Sequence, residues 1–130
     1  RAGIRADCLH GDIKQATREK TMADFRHGKL PVLIATDVAS RGIDVDDVDG
    51  VINYDVPEEN EYYIHRIGRT GRARKKGISF TLLGSFPEKA KLDEIAKFAG
   101  FHIVPMIFDE YGCLVPAPAE EKHPTSRRRF

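Results

Sequence analysis

The sequence lacks the features on which disulfide-bonded, zinc-binding and membrane proteins depend. Its 130 residues include only two cysteines, Cys8 and Cys113, and no Cys-x-x-Cys spacing, which excludes a disulfide framework and a zinc site of that type. No apolar run approaches the roughly 18 residues of a membrane span, so we expect no membrane association. The first residues show no apolar stretch of the signal-peptide type, and we therefore expect a cytoplasmic protein.

A large net charge is also missing. The 21 Lys and Arg residues and the 20 Asp and Glu residues give a formal charge of +1, which argues against a histone-like polycation whose partner could be inferred from charge alone. The hydrophobic content of 41% is too high for a disordered chain. The length is just under that of one typical domain. Composition therefore indicates an α/β or α+β domain and names no function.

Strand-like and helix-like segments alternate along the chain. Apolar runs predict strands at 6–9, 32–35, 51–56 and 78–83, and the continuous run at 32–35 is typical of a strand buried on both faces. A helix over about 15–27 should have Asp12 as its N-cap and Gly28 just after its end. A second helix should begin with a Ser85–Glu88 capping box and end at Gly100. This order predicts parallel βαβ units.

The two ends of the sequence are less regular. Residues 1–3 resemble the end of a helix with a glycine terminator that leads straight into a strand, so we expect that an upstream strand and helix are missing; a frayed end before the first strand is the alternative. We assign residues 1–100 to a partial domain and 101–115 to a last strand with an extension. Residues 116–130 are predicted to form a disordered basic tail.

The small net charge hides two neighbouring blocks of opposite sign. The segment 44–61 has eight acidic residues and no basic one, whereas 62–76 has six basic residues and no acidic one. Such blocks usually form solvated surfaces. In the basic block, however, Gly68 and Gly71 interrupt the arginines, and a guanidinium suits bidentate phosphate contact where glycine lets the backbone approach. The pattern therefore points to a phosphate ligand.

The spacing of three side chains makes that expectation more specific. His65, Arg69 and Arg72 follow one another at i, i+4 and i+7, so a helix continuing through them would place all three on one stripe. Two arginines that converge on one point suit the transition state of phosphoryl transfer. The segment 67–72 also resembles the Gly-x-x-Gly loop of a KH domain, but the charged residues that follow it argue against that fold. No P-loop sequence occurs in the chain.

Four segments in order resemble the motifs of the DEAD-box RNA helicases. Residues 35–45 read ATDVASRGIDV and resemble motif V, and residues 63–72 read YIHRIGRTGR and resemble motif VI. Residues 15–18, QATR, resemble the Gln-x-x-Arg motif, and residues 51–57, VINYDVP, resemble the segment between motifs V and VI. The resemblance covers about residues 4–84. It implies the second, C-terminal RecA-like domain, a P-loop NTPase-like, three-layer αβα fold with a parallel sheet.

By this resemblance, several residues would act on nucleotide. Arg69 and Arg72 would be arginine fingers that reach the γ-phosphate of ATP held by the first RecA-like domain. Asp44 would bind the ribose hydroxyls, for which a carboxylate acceptor is suited. The implied cofactors are ATP and Mg²⁺, with the metal held mainly by the first domain. The chain would lack the family's first strand and helix, and we expect unpaired strand edges and exposed apolar surface as a result.

The same resemblance implies contacts with RNA and between the domains. Gln15, Arg18 and Thr36 would contact RNA phosphates, which fix position without carrying sequence information. Three residues would couple the closed cleft to RNA or support that interface: His65, Arg66 and Arg41. Taken singly, each residue also has an ordinary explanation, such as a helix cap or a structural histidine. The ordered match of four motifs favours the functional roles.

The resemblance thus implies part of an ATP-dependent RNA helicase that couples ATP binding and hydrolysis to local unwinding of RNA duplexes. Its partners would be RNA and the first RecA-like domain of the same protein. We expect the 130-residue chain alone to be inactive, because a P-loop and a metal-binding acidic box are absent from it. A non-catalytic RNA-binding or interaction module with the same fold is the alternative, and a DNA-directed relative is a third.

Overall fold

The computed structural model describes residues 2–37, 48–70 and 76–118. The strands in these ranges are β1 (Ala6–Leu9), β2 (Val32–Ala35), β3 (Gly50–Asn53), β4 (Ile78–Thr81), β5 (Met106–Phe108) and β6 (Leu114–Pro116). The helices are α1 (Gln15–Arg26), α2 (Asn60–Ile67) and α3 (Phe86–Ala99). None of these described helices has the length and apolar character needed to cross a membrane.

The strands confirm the predicted parallel arrangement. β1 pairs with β2 in parallel, with Ala6 opposite Val32, and β3 pairs with β4 in parallel, with Gly50 opposite Ile78. β5 and β6 form an antiparallel hairpin. Among the described strands these are three separate pairs, so no ladder joins β2 to β3. The carboxyl ends of β1 and β2 lie at one edge, as do those of β3 and β4.

Both ends of α3 and the C-terminal end of α1 agree with the predictions, whereas the N-terminal end of α1 differs. Ser85 caps α3 as predicted: its Oγ accepts a hydrogen bond from the Glu88 N–H at 3.3 Å, and Gly100 follows the helix with φ 75°. Gly28 follows α1 with φ 75°, also as predicted. The prediction of Asp12 as N-cap was wrong, because Lys14 occupies that position without a side-chain cap. A turn at 10–13 places Asp12 ahead of it.

Two small apolar clusters hold these elements together. The first lies between α1 and the β1–β2 pair and consists of Leu9 and Met22, with Ile13, Phe25, Leu33 and Val48 packed against them. The second lies between α2 and α3 and consists of Tyr63, Leu92 and Ile95, with Val56, Ile67, Phe101 and Ile103 packed against them. The second cluster fixes the position of α2, the helix that carries the predicted histidine–arginine segment.

The exposed strand residues correct one prediction and agree with another. β2 is not buried on both faces, since Ile34 is 58% exposed, and among the described strands it pairs with β1 alone. Ile52 of β3 is 70% exposed. This is the exposed apolar surface and unpaired edge that the resemblance implied.

Several predicted boundaries also shift. β3 ends at Asn53 and β4 at Thr81, each earlier than expected, and no strand forms at 101–105. Phe101 and Ile103 in that segment pack onto the α2–α3 cluster instead of pairing, and the last strands begin at Met106. β6 extends to Pro116, the first residue of the predicted tail. Residues 119–130 lie outside the described ranges, so the disorder of the tail and the domain boundaries stay predictions.

Candidate functional site

The predicted histidine–arginine stripe lies at the end of α2 and in the turn that follows. α2 ends at Ile67, so His65 lies on the helix and Arg69 lies in the turn beyond it. Beyond the helix the backbone hydrogen bonds span three residues instead of four. The Arg69 N–H donates to the Arg66 carbonyl at 3.3 Å, and the Thr70 N–H donates to the Ile67 carbonyl at 3.2 Å. These are bonds of the 3₁₀ type, which often close a helix.

His65 and Arg69 nevertheless meet as their spacing predicted. Arg69 Nη2 lies 3.0 Å from His65 Nε2. Because a guanidinium can only donate, Nε2 accepts the hydrogen bond in this contact. His65 is exposed and Arg69 is partly exposed. The pair thus presents a cationic group at the surface end of α2.

Arg66 points to a different set of partners. Its Nε donates to Asp37 Oδ1 and its Nη2 donates to Asp37 Oδ2, both at 2.6 Å, which is the bidentate geometry of a strong charge-assisted pair. Its Nη1 donates to the Asp55 carbonyl at 2.9 Å and to Asp55 Oδ1 at 3.1 Å. We call Arg66, Asp37 and Asp55 the Arg66 cluster. It joins α2 to the residues that follow β2 and β3.

The two aspartates of the Arg66 cluster keep the Arg66 side chain positively charged. The hydrogen bond with Asp37 raises the pKa of Arg66 above its ordinary value, and partial burial opposes it with a smaller effect. Coulombic attraction to Asp37 and the contacts with Asp55 raise the pKa of Arg66 further. Because its pKa is raised, the stability that charged Arg66 contributes to the fold is lost only at very alkaline pH. Arg66 is therefore a permanent cation paired with carboxylates.

A buried polar network holds the inner face of α2 through Tyr63. The Tyr63 hydroxyl lies 3.0 Å from Thr81 Oγ1, and the Asn53 amide donates to Thr81 Oγ1 at 3.2 Å and to Ser79 Oγ at 3.4 Å. The Tyr63 ring stacks on Phe101, with the ring centroids 5.9 Å apart. Tyr63 and Asn53 are 3% and 2% exposed. α2 is thus bound to β3 and β4 through its inner face.

The turn that carries Arg69 is tied to the start of β3. Thr70 Oγ1 donates to the Val48 carbonyl at 2.7 Å, and the Val48 N–H donates to the Arg69 carbonyl at 3.1 Å. Val48 also packs against the cluster around Leu9 and Met22. These bonds hold the backbone at Arg69 and Thr70 against the segment that precedes β3.

The predicted RNA-contacting residues lie on the β1–β2 side of the molecule. Gln15 opens α1, and its side-chain amide donates to Glu19 at 3.3 Å. Arg18 lies one turn further along α1 and is partly buried. Thr36 directly follows β2 and directly precedes Asp37 of the Arg66 cluster. The carboxyl ends of parallel strands are where ligands bind in open α/β sheets, and Gln15 and Thr36 both follow such ends.

Three predicted residues, Arg41, Asp44 and Arg72, lie outside the described ranges. Within the described ranges, no group of three or more His, Cys, Asp or Glu side chains could hold a metal ion. Arg69 suits an anionic ligand, because the residue is partly exposed and a guanidinium binds phosphate oxygens well.

The sequence analysis missed the partners of Arg66. Asp37 and Asp55 lie 29 and 11 residues from it, and only the pairing of strands brings these positions together. One signal was present in the sequence for Asp37, which comes two residues after the predicted strand 32–35, whereas Asp55 lies within the predicted strand 51–56 and follows β3 only because that strand ends early, at Asn53. The carboxyl ends of neighbouring parallel strands meet at one edge, where a long basic side chain can reach both.

Comparison with known proteins agrees with this geometry. Residues 1–74 match the family model described as "Helicase conserved C-terminal domain". The chain is 47% identical over 109 residues to the probable ATP-dependent RNA helicase DDX17 of Mus musculus, covering 82% of this chain and 17% of that protein. It is 54% identical over 98 residues to the ATP-dependent RNA helicase FAL1 of Saccharomyces cerevisiae, covering 75% of this chain and 24% of that protein.

Solved structures give the same result. The C-terminal domain of the DEAD-box protein Dbp5 superposes with a TM-score of 0.71 at 39% identity, covering 75% of this chain and 58% of that one. S. cerevisiae Dbp5 bound to RNA and ADP BeF3 superposes with a TM-score of 0.69 at 39% identity, covering 75% of this chain and 27% of that one. The fold is therefore the RecA-like fold of a helicase C-terminal domain.

The chain belongs to the helicase conserved C-terminal domain family, and its relatives are DEAD-box RNA helicases. The predicted family and fold class are confirmed. The chain spans about a sixth to a quarter of the length of the curated relatives named above.

The polar network behind α2 gives a testable expectation. Tyr63→Phe removes the hydroxyl that meets Thr81 and should weaken local stability by about 1 kcal/mol, the net worth of one hydrogen bond. In the complete protein, amide exchange in α2 and β4 should become about fivefold faster by mass spectrometry. The matched control is Tyr54→Phe, because Tyr54 is 84% exposed. Equal exchange in the two variants would contradict the role of this hydroxyl.

Proposed function

We propose that this chain is the nucleotide- and RNA-contacting C-terminal part of an ATP-dependent RNA helicase. The observation that carries the proposal is the placement of Arg69, which the contact with His65 and the turn bonded to Val48 hold at the exposed end of α2. Helicase action requires a cationic group that can be brought against a phosphate when two domains close. The named relatives are ATP-dependent RNA helicases, which supports the same reading.

On the nucleotide side, Arg69 and Arg72 act as arginine fingers and Asp44 binds the ribose hydroxyls. Bound ATP would supply the phosphoryl group and Mg²⁺ its counter-charge, and the first RecA-like domain would hold most of the metal ligands. The guanidinium of Arg69 would donate to the γ-phosphate oxygens and so stabilise the charge that develops there. His65 accepts from Arg69 through Nε2 and orients it.

On the RNA side, Gln15, Arg18 and Thr36 contact phosphates, while His65, Arg66 and Arg41 couple the closed cleft to RNA. Thr36 and Gln15 follow carboxyl ends of β2 and β1, which supports a shared surface. The solved structure of Dbp5 bound to RNA and ADP BeF3 supports a fold that can bind both ligands at the same time. In the complete protein, ATP-driven closure over RNA then separates short duplexes locally.

The 130-residue chain alone should hydrolyse no ATP and unwind no RNA, because its sequence contains neither a P-loop nor a metal-binding acidic box. The measurement is RNA-stimulated phosphate release by the purified chain, with the complete protein as the positive control. Turnover by the isolated chain above that of a buffer blank would contradict this expectation. Absence of turnover in the complete protein as well would favour a non-catalytic RNA-binding module.

Arg69→Ala in the complete protein should lower ATP turnover by about 10³-fold or more, since loss of an arginine finger removes transition-state stabilisation. RNA affinity should stay nearly unchanged, because Arg69 contacts the nucleotide side. Steady-state phosphate release and RNA binding by fluorescence anisotropy measure the two effects. Lys97→Ala, on the exposed side of α3, is the control. Unchanged turnover in the Arg69 variant would remove this residue from the proposed role.

Arg18→Ala should weaken RNA binding and flatten its dependence on salt. Losing one phosphate contact lowers the slope of log K against log salt concentration by about 1. Binding titrations of the complete protein across a salt series measure that slope. Lys20→Ala is the matched control, since two residues along α1 place its side chain on the opposite face. The same slope in the Arg18 variant and the wild-type protein would argue against a phosphate contact.

A further inference from the structure

The β5–β6 hairpin lies outside the part of the chain that matches the family model. That match ends at residue 74, whereas β5 begins at Met106 and β6 ends at Pro116. Among the described strands, β5 and β6 pair only with each other, and neither apolar cluster of the described residues includes a residue of the hairpin. Because a two-stranded hairpin is marginally stable by itself in water, a third strand would stabilise this one.

The pairing within the hairpin shows which backbone groups of β5 point outward. The Asp109 N–H donates to the Cys113 carbonyl at 2.9 Å, so these two opposite residues belong to a hydrogen-bonded position of the ladder. In an antiparallel pair, hydrogen-bonded and non-hydrogen-bonded positions alternate along each strand. Phe108 and Met106 therefore occupy non-hydrogen-bonded positions, and their N–H and C=O groups point away from β6.

The outer edges of the two strands differ in their hydrogen-bonding capacity. On β6, the residues with outward backbone groups are Leu114 and Pro116, which lie opposite Phe108 and Met106. Pro116 has no N–H to donate, and a proline is one of the features that protect a strand edge from further pairing. β5 keeps its donors and acceptors at both outward positions. The hairpin can therefore accept another strand along β5 more readily than along β6.

The side chains at this edge are apolar, and the charge around it is acidic. Phe108 is 71% exposed and Met106 is 39% exposed. Glu110 is exposed in the turn that follows β5. The sequence from 98 to 121 has four acidic residues and no Lys or Arg. Such an edge repels the phosphates of a nucleic acid and favours a protein segment with basic side chains.

We propose that the outer edge of β5 is a docking site for an extended protein segment of alternating apolar and basic residues, which adds to the hairpin as a third strand. Backbone hydrogen bonds at Met106 and Phe108 hold the segment, and pockets between alternate side chains select its apolar residues. The basic residues are attracted to the acidic turn at Glu110. The docking site takes no part in ATP turnover, so this inference does not rest on the proposed function.

The probe is a fluorescein-labelled short peptide of alternating Lys and Val, and its binding to the complete protein is measured by fluorescence anisotropy. Phe108→Pro removes one outward N–H and one exposed apolar side chain, and should weaken binding by about tenfold. Leu114→Pro is the matched control, because it makes the same change on the outer edge of β6. It should change the Kd by less than about twofold.

Glu110→Lys tests the charge without changing a strand residue. This variant should bind the Lys–Val peptide about threefold more weakly, and a peptide of alternating Glu and Val about threefold more tightly, as expected for an exposed ion pair. Both effects should shrink as salt is added. RNA-stimulated ATP turnover should stay unchanged in Phe108→Pro and Glu110→Lys, and its loss in either variant would overturn the separation of this edge from the ATP site.

The remaining outcomes distinguish the possible occupants of the edge. Failure of the Lys–Val peptide to bind the wild-type protein, or equal weakening by the two proline variants, would overturn the docking site. A single-stranded RNA that displaces the peptide and loses affinity in Phe108→Pro would make the edge an RNA contact instead. Wild-type dimers in analytical ultracentrifugation that Phe108→Pro converts into monomers would make a second copy of this chain the occupant. A wild-type protein without RNA-stimulated turnover would overturn the proposed function alone.

Discussion

The bidentate contact between Arg66 and Asp37 is the interaction on which the rest of the site depends. α2 is also attached to β3, β4 and α3, through Tyr63, Asn53 and the cluster around Ile95. The turn after α2 bonds to Val48, which makes an apolar contact with the cluster around Leu9 and Met22. The bonds from Arg66 to Asp37 at 2.6 Å add a directional connection to the end of β2. Without this connection, nothing in the described strand pairing would set the angle between the two halves.

The same contact explains how charge is distributed along the chain. The near-zero sum of charges conceals an acidic block at 44–61 followed by a basic block at 62–76. Asp55 of the acidic block and Arg66 of the basic block form an ion pair in the folded molecule. Part of the charge of the two blocks is therefore neutralised by this contact. Nη2 of Arg69 lies against the His65 imidazole. Two arginines three residues apart in one motif therefore have different surroundings, which the motif alone does not reveal.

Local signals predicted local structure well. Ser85 with Glu88, and Gly28 and Gly100, marked helix ends because capping depends on neighbours within four residues. Strand pairing in parallel followed from alternation of elements, and the meeting of His65 with Arg69 followed from helical spacing. The sequence did not predict the end of α2 at Ile67 or the exposure of β2. It also missed Asp37 as the partner of Arg66, because all three depend on what packs around the segment in the fold.

The two aspartates of the Arg66 cluster contribute unequally. The Asp37 side chain is 27% exposed and engages two guanidinium nitrogens, whereas the Asp55 side chain is 73% exposed and accepts at 3.1 Å. Salt screens exposed charges strongly and partly buried ones much less, so the carboxylate of Asp55 adds little at physiological ionic strength. Its backbone carbonyl still accepts from Nη1 at 2.9 Å, and a neutral acceptor is not screened in that way. The orientation of Arg66 is therefore set by the Asp37 carboxylate and the Asp55 carbonyl. The link between the strand pairs should for that reason persist at salt concentrations that screen surface ion pairs.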